Sequence, residues 1–108
     1  MRKEKYIVTG KYDSQRNSWI PDGDIRHVVS GHRTESAAWK AAHRAHGLLG
    51  GCNGSDMLTE VMARAPKNYK PDEEEDTYDY DGALYIECDY WSGHVIGHDG
   101  HGFTATPR

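Results

Sequence analysis

The alternation of apolar and polar residues predicts β-strands in the N-terminal part of the chain. Lys5–Tyr12 is rich in β-branched and aromatic side chains, and the turn-forming run Asp13–Ser18 follows it. Residues 19–20 are predicted as a short return strand. The segment Asp24–Ser30 is predicted as the next strand, with alternate residues sharing one face.

The most regular alternation lies near the C-terminus. Ala83–Trp91 predicts a strand with one buried side, because every second residue is apolar on one face: Leu84, Ile86, Cys88 and Tyr90. Asp99-Gly100 is the dipeptide that favours a type I′ hairpin turn. The interpretation is a three-stranded antiparallel meander over residues 83–106.

One helix is predicted with clear boundaries. Glu35–His46 carries five alanines, which favour helix, and Thr34 precedes it as a plausible N-cap. Within it, alanines at i, i+4 and i+7 form a narrow stripe suited to close packing on a sheet. Gly47 is expected to end the helix in the left-handed conformation.

The segment Ser55–Ala65 is ambiguous. Met57, Leu58, Val61 and Met62 follow a helical spacing, and Pro66 would stop a helix, so a second short helix is the favoured interpretation. A strand is the alternative, because every second residue from Met57 also forms an acceptable face.

The acidic segment Lys67–Asp81 has almost no apolar residues and is predicted to be a flexible loop. The predicted fold is therefore α+β, with an antiparallel sheet of four to five strands and one main helix packed on it. At 108 residues, the chain 1–108 is expected to form a single domain.

Charge and composition exclude several function classes. The net charge of −4 argues against binding to the nucleic-acid backbone, which requires clustered lysine and arginine. No apolar run is long enough to span a membrane, and no signal peptide is recognised, so a cytoplasmic location with reduced cysteines is expected.

The seven histidines suggest one candidate metal site. If Asp99-Gly100 is a two-residue turn, His98 and His101 form a cross-strand pair, and His94 or Asp99 offers a further ligand for a divalent transition metal. Solvated histidines on a polar hairpin are nevertheless the favoured interpretation, and no cofactor is expected. A bound metal ion or a pH-sensing histidine pair is the alternative.

Two candidate surfaces for a protein partner stand out. Trp39 and His43 lie one turn apart on the predicted helix, either at an interface or at the margin of the core. The acidic segment combines carboxylates with aromatic rings, which suits a partner with a basic surface. Its candidate contact residues are Asp72, Glu73, Glu74, Glu75, Asp76, Tyr78 and Tyr80.

No sequence motif indicates catalysis, so the chain is not expected to be an enzyme. The favoured hypothesis is a small acidic protein-binding module that acts stoichiometrically. Inhibitors of host systems from phages and mobile elements, such as anti-CRISPR proteins, have a similar size and build, although no motif carries that likeness. A metal-binding protein using the histidine hairpin and a small enzyme of unknown type are the alternatives.

Overall fold

A computed structural model describes residues 4–52, 56–71, 76–88, 94–98 and 103–107, and for the last two ranges it describes only the backbone. The elements of the described residues are, in chain order, β1 (Tyr6–Asp13), β2 (Ser18–Trp19), β3 (Ile25–His32), α1 (Glu35–Leu48), β4 (Thr59–Arg64), β5 (Thr77–Tyr80), β6 (Ala83–Glu87), β7 (His94–His98) and β8 (Phe103–Pro107). A small α+β fold built on an antiparallel sheet is thus confirmed. No helix in the described ranges has both the length and the apolar character needed to cross a membrane.

Strand β1 lies at the centre of the larger sheet. It pairs with β3 from Tyr6↔His32 to Tyr12↔Ile25, with one irregularity of register between Val8 and Thr9. Because β4 pairs with the same part of β1, β3 and β4 lie on its two opposite edges. The strand order continues through β6 to β5, and β2 forms a short hairpin with β1. All pairings are antiparallel.

The larger sheet is strongly curled. Arg26 on edge strand β3 reaches Asp76, which immediately precedes edge strand β5. Val28 of β3 and Tyr78 of β5 also pack against one buried cluster, formed by Ile7, Met62 and Tyr85. The two outermost strands therefore approach each other on the face opposite the helix.

Helix α1 packs its alanine stripe on the other face of the sheet, as predicted. Ala38 and Ala42 are fully buried with Trp39 against Val8 and Val61. The hydroxyl of Thr34 accepts a hydrogen bond from the backbone amide of Ala37 at 3.2 Å, so the predicted N-cap is confirmed.

The helix ends later than predicted. Gly47 remains helical, and the positive φ of 100° that terminates the segment belongs to Gly50. The sequence runs Gly47-Leu-Leu-Gly50, and a helix commonly ends at a glycine with positive φ, so sequence alone does not distinguish the two glycines. The amide of Leu49 still bonds to the carbonyl of Ala45 at 2.9 Å, which carries the helical bonding past Gly47.

The prediction of a second helix is wrong, because this part of the chain forms strand β4. Val61 faces the helix and packs with Val8, whereas Met62 faces the opposite side and packs with Ile7. A strand buried on both faces carries apolar residues at successive positions, and this pattern resembles helical periodicity over a short window.

The acidic segment is not a loop throughout, because Thr77–Tyr80 forms β5 and pairs with β6. A two-residue turn at Asp81-Gly82 joins these strands. Both residues have positive φ, 52° and 78°, as a type I′ turn requires. Glycine adopts such angles without steric cost, and aspartate tolerates them.

The predicted C-terminal meander is only partly correct. In the described residues, β6 pairs with β4 and β5, whereas β7 and β8 form a separate two-stranded sheet. His98 pairs with Phe103 rather than with His101. The predicted turn at Asp99-Gly100 lies outside the described residues.

Candidate functional site

Five charged side chains meet on the sheet face opposite the helix, and we call them the charged cluster: Lys11, Arg26, Glu60, Asp76 and Glu87. The strand register brings them together. Lys11 is paired with Arg26 across β1 and β3, and Glu87 is paired with Met62 across β6 and β4. Alternation along each strand then directs these side chains to one face.

Arg26 is the centre of the charged cluster. Its side chain is only 9% exposed. Nη1 donates to Glu60 Oε2 at 2.7 Å and to Thr9 Oγ1 at 2.8 Å, and Nη2 donates to Asp76 Oδ2 at 2.6 Å. The guanidinium carbon also lies 6.0 Å from the centroid of the Tyr78 ring, within cation–π range.

Lys11 adds a second positive charge at a greater distance. Its Nζ lies 3.7 Å from Glu60 Oε1 and 3.5 Å from Asp76 Oδ2. The cluster therefore holds three carboxyl groups against two cations. One carboxyl group remains without a matching positive charge.

Glu87 is the carboxyl group that retains a proton. Glu87 is exposed as a whole residue, but partial burial of its carboxyl, the charge of Glu60 and a hydrogen bond with Asp76 raise its pKa to about 7. Burial also opposes ionisation of Asp76, but Arg26 and Lys11 outweigh it and hold the pKa of that carboxyl below its usual value. At neutral pH, Asp76 is therefore ionised, whereas a substantial fraction of Glu87 still carries its proton.

The cluster has the donor atoms of a site for a hard cation. Ligand oxygens of Glu60, Asp76 and Glu87 all lie within 4.8 Å of one another, and Mg²⁺ and Ca²⁺ bind such carboxylate oxygens. However, Arg26 and Lys11 already neutralise Glu60 and Asp76. The arrangement therefore fits an internal ion-pair network better than it fits a metal centre.

Trp39 and His43, the helix residues predicted to contact a partner, lie in the core. Trp39 is 1% exposed and His43 is 9% exposed. The indole Nε1 of Trp39 donates to Glu35 Oε1 at 3.4 Å. The structure therefore favours the core position that the sequence also allowed for these two side chains, and their contact with a partner stays a prediction.

The acidic contact residues fall into two groups. Residues 72–75 lie outside the described residues, so their role stays a prediction. Asp76 belongs to the charged cluster, and Tyr78 packs beneath Arg26. The ring of Tyr80 stacks on that of Tyr78 with centroids 6.4 Å apart and remains 38% exposed.

The predicted metal site lies largely outside the described side chains. His94 and His98 occupy the two ends of β7, where only the backbone is described, and His101 lies outside the described residues. The register of β7 and β8 does not pair His98 with His101. Metal binding by these histidines stays a prediction.

Strand β3 presents an edge that sequence analysis did not single out. Among the described residues it pairs only with β1, which leaves its outer edge without a strand partner. Its β-branched residues Ile25 and Val29 are each 42% exposed. The strand carries no lysine and no proline, two residue types that commonly protect edge strands from pairing.

The cluster residues Lys11, Arg26, Glu60 and Glu87 were also missed by sequence analysis, because they lie on four different strands that only the folded sheet brings together. A charged residue next to buried apolar residues of a strand, such as Glu60 before Val61 and Met62, is the available signal.

Comparison of the chain with protein-family models, with curated proteins and with solved structures finds no match.

Proposed function

We propose that the protein is a small acidic protein-binding module that forms a stoichiometric complex with a protein partner, as inhibitors from phages and mobile elements do. The observation that carries this proposal is the outer edge of β3. An edge strand with exposed β-branched side chains and no protecting lysine or proline suits the addition of a partner strand.

The partner segment that fits this edge is extended, with apolar side chains at alternate positions. Its backbone would pair with β3, and its side chains would cover Ile25 and Val29. Carboxylates lie near both ends of the strand, because Asp24 precedes it and Glu4 packs against Gly31. These charges favour lysine or arginine at the ends of the bound segment.

The charged cluster supports binding at β3 rather than catalysis. Arg26 is held between Glu60 and Asp76, so β3 is fixed to the opposite edge of the sheet. A rigid edge loses less conformational freedom when a partner strand docks on it.

The test is affinity capture from lysate of the native host, using the parent chain and the edge variant Ile25→Lys/Val29→Lys. The matched control is Leu48→Lys, because Leu48 is 80% exposed but lies on the helix. We expect the parent and the control to retain the same single protein in a one-to-one complex by light scattering. We expect the edge variant to lose it.

Two results contradict the proposal. Equal capture of the partner by the edge variant places docking elsewhere on the surface. A parent chain that retains no protein and forms a dimer disrupted by the edge variant indicates self-association, which is a structural rather than an inhibitory role.

A further inference from the structure

A second surface of the protein has the opposite charge from the chain as a whole. A cleft of about 730 Å³ lies where the start of β1, the end of β4 and the β5–β6 turn meet. Its framework is fixed by backbone hydrogen bonds, from Arg64 N to Lys5 O and from Ala65 N to Leu84 O, both at 2.8 Å. Its volume lies within the range of about 300–1,000 Å³ that small-molecule sites occupy.

Three basic residues line this cleft: Lys5, Arg64 and Lys67. None of the described lining residues is acidic. Lys5 and Lys67 are both exposed, so their ammonium groups are accessible to a ligand. A local cationic site in a protein of net charge −4 concentrates small anions, whereas the surrounding negative charge repels a long polyanion.

The remaining lining residues provide aromatic rings and space. Tyr6 and Tyr69 are half-buried and border the cleft, with Tyr6 also packing against the helix-side core, and the small lining residues are Ala63, Ala65 and Ala83. Tyrosine rings next to small side chains leave room for a planar group to stack. Cations and aromatic rings in one cleft suit a ligand that has both an anionic group and a ring.

We propose that this cleft binds a small phosphorylated molecule that carries a planar ring, of the size of a mononucleotide. The ammonium groups of Lys5 and Lys67 bind the phosphate, and the tyrosines contact the ring. This site is separate from the β3 edge and does not depend on the proposed function.

The test is isothermal titration of the full chain with AMP and, separately, with inorganic phosphate. The variant is Lys5→Gln/Lys67→Gln. The matched control is Lys40→Gln, because Lys40 is an exposed lysine on α1 that does not line the cleft. The double variant loses two charge-assisted hydrogen bonds to phosphate. We therefore expect it to weaken AMP binding by about tenfold or more. We expect the control to bind as the parent does.

The phosphate titration separates the contribution of the ring from that of the charge. Tighter binding of AMP than of inorganic phosphate supports stacking in the cleft. Equal binding would show that the ring of the ligand does not contribute, which contradicts the proposed ring contact. No binding of AMP to the parent, or equal binding by the parent and the double variant, overturns the site. Tighter binding of a single-stranded oligonucleotide than of AMP also overturns it, because the ligand would then be a polyanion.

Discussion

Arg26 and Asp76 form a 2.6 Å ion pair that joins the two outermost strands of the sheet, although they are separated by 50 residues in the chain. Backbone pairing does not close the sheet in the described residues, so this contact and the packing of Val28 and Tyr78 hold its curl. The guanidinium is the point at which β1, β3, β4 and the start of β5 are linked through side chains.

Replacing Arg26 with methionine should destabilise the fold. The substitution keeps an apolar chain of similar reach but leaves Glu60 and Asp76 without their closest cation. Because those carboxylates are partly exposed, we expect a loss of about 2 kcal/mol in the free energy of unfolding, below the usual cost of breaking a fully buried pair. Urea unfolding measures this loss in the free energy of unfolding. Lys11→Met is the control and should cost less than about 1 kcal/mol, because its contacts are longer and more exposed. Equal losses of stability in the two variants would show that Arg26 does not contribute more than Lys11 to the charged cluster.

Stability should fall as the pH rises from about 4.5 to about 7. The pKa of Glu87 rises from the ordinary value of 4.5 to about 7 in the folded state, so the folded protein binds a proton that the unfolded chain has already released. The contribution is fully present below pH 4.5 and is lost as the pH passes through 7. Asp76 acts in the opposite direction: its lowered pKa adds stability above its ordinary value of 3.8, and that stability is lost in stronger acid.

Urea unfolding at a series of pH values tests this dependence. Glu87→Gln should remove most of the decrease between pH 4.5 and 7, because glutamine does not titrate. Asp79→Asn, a carboxylate change in β5 outside the charged cluster, should retain the decrease of the parent. A parent protein whose stability is constant over this range contradicts the raised pKa assigned to Glu87.

Trp39 should behave as a core residue. Trp39→Ala removes a side chain that is 1% exposed and packs against Val8 and Val61, so we expect a loss of about 3–5 kcal/mol. Such a loss approaches the whole stability of a small domain, so Trp39→Phe provides a milder variant that stays folded. Truncating Leu48, which is 80% exposed, should change stability by less than about 0.5 kcal/mol. A folded Trp39→Ala variant with parental stability would return this residue to the interface hypothesis.

The two cysteines should differ in reactivity. Both are outside disulfides in the structure, but Cys52 is exposed, whereas burial and the charges of Glu35 and Glu87 raise the pKa of the Cys88 thiol to about 11. Because the thiolate is the reactive form, we expect a thiol reagent at pH 8 to modify one cysteine rapidly and the other slowly. Cys52→Ser should abolish the rapid phase, and Cys88→Ser should leave it unchanged. Two equally rapid phases would mean that Cys88 is accessible.

Helix α1 and strand β1 could be predicted from residues that are close together in the sequence. Thr34 and the alanine stripe identified α1, and the alternation in Lys5–Tyr12 identified β1 within one residue at each end. Strand β4 was mistaken for a helix because Val61 and Met62 are buried on opposite faces, a fact that only the finished sheet supplies.

The charged cluster was not predictable because its members come from β1, β3, β4 and β6 and from the residue before β5. No spacing in the sequence relates Arg26 to Asp76. The turn at Asp81-Gly82 did have a local signal, since Asp-Gly favours a type I′ turn. That turn and strand β5 were not predicted, because the high charge of the surrounding segment favoured a loop.

The position of β1 has a consequence for folding during synthesis. This strand leaves the ribosome before β4, so the edge of β1 that pairs with β4 has no partner until the residues from Thr59 onward have emerged. Until then, the β1 edge that pairs with β4 stays open, and Val8 lacks its contact with Val61. Chaperone capture of nascent chains should therefore concentrate on chains that end between α1 and β4, and should decline once Arg64 has emerged.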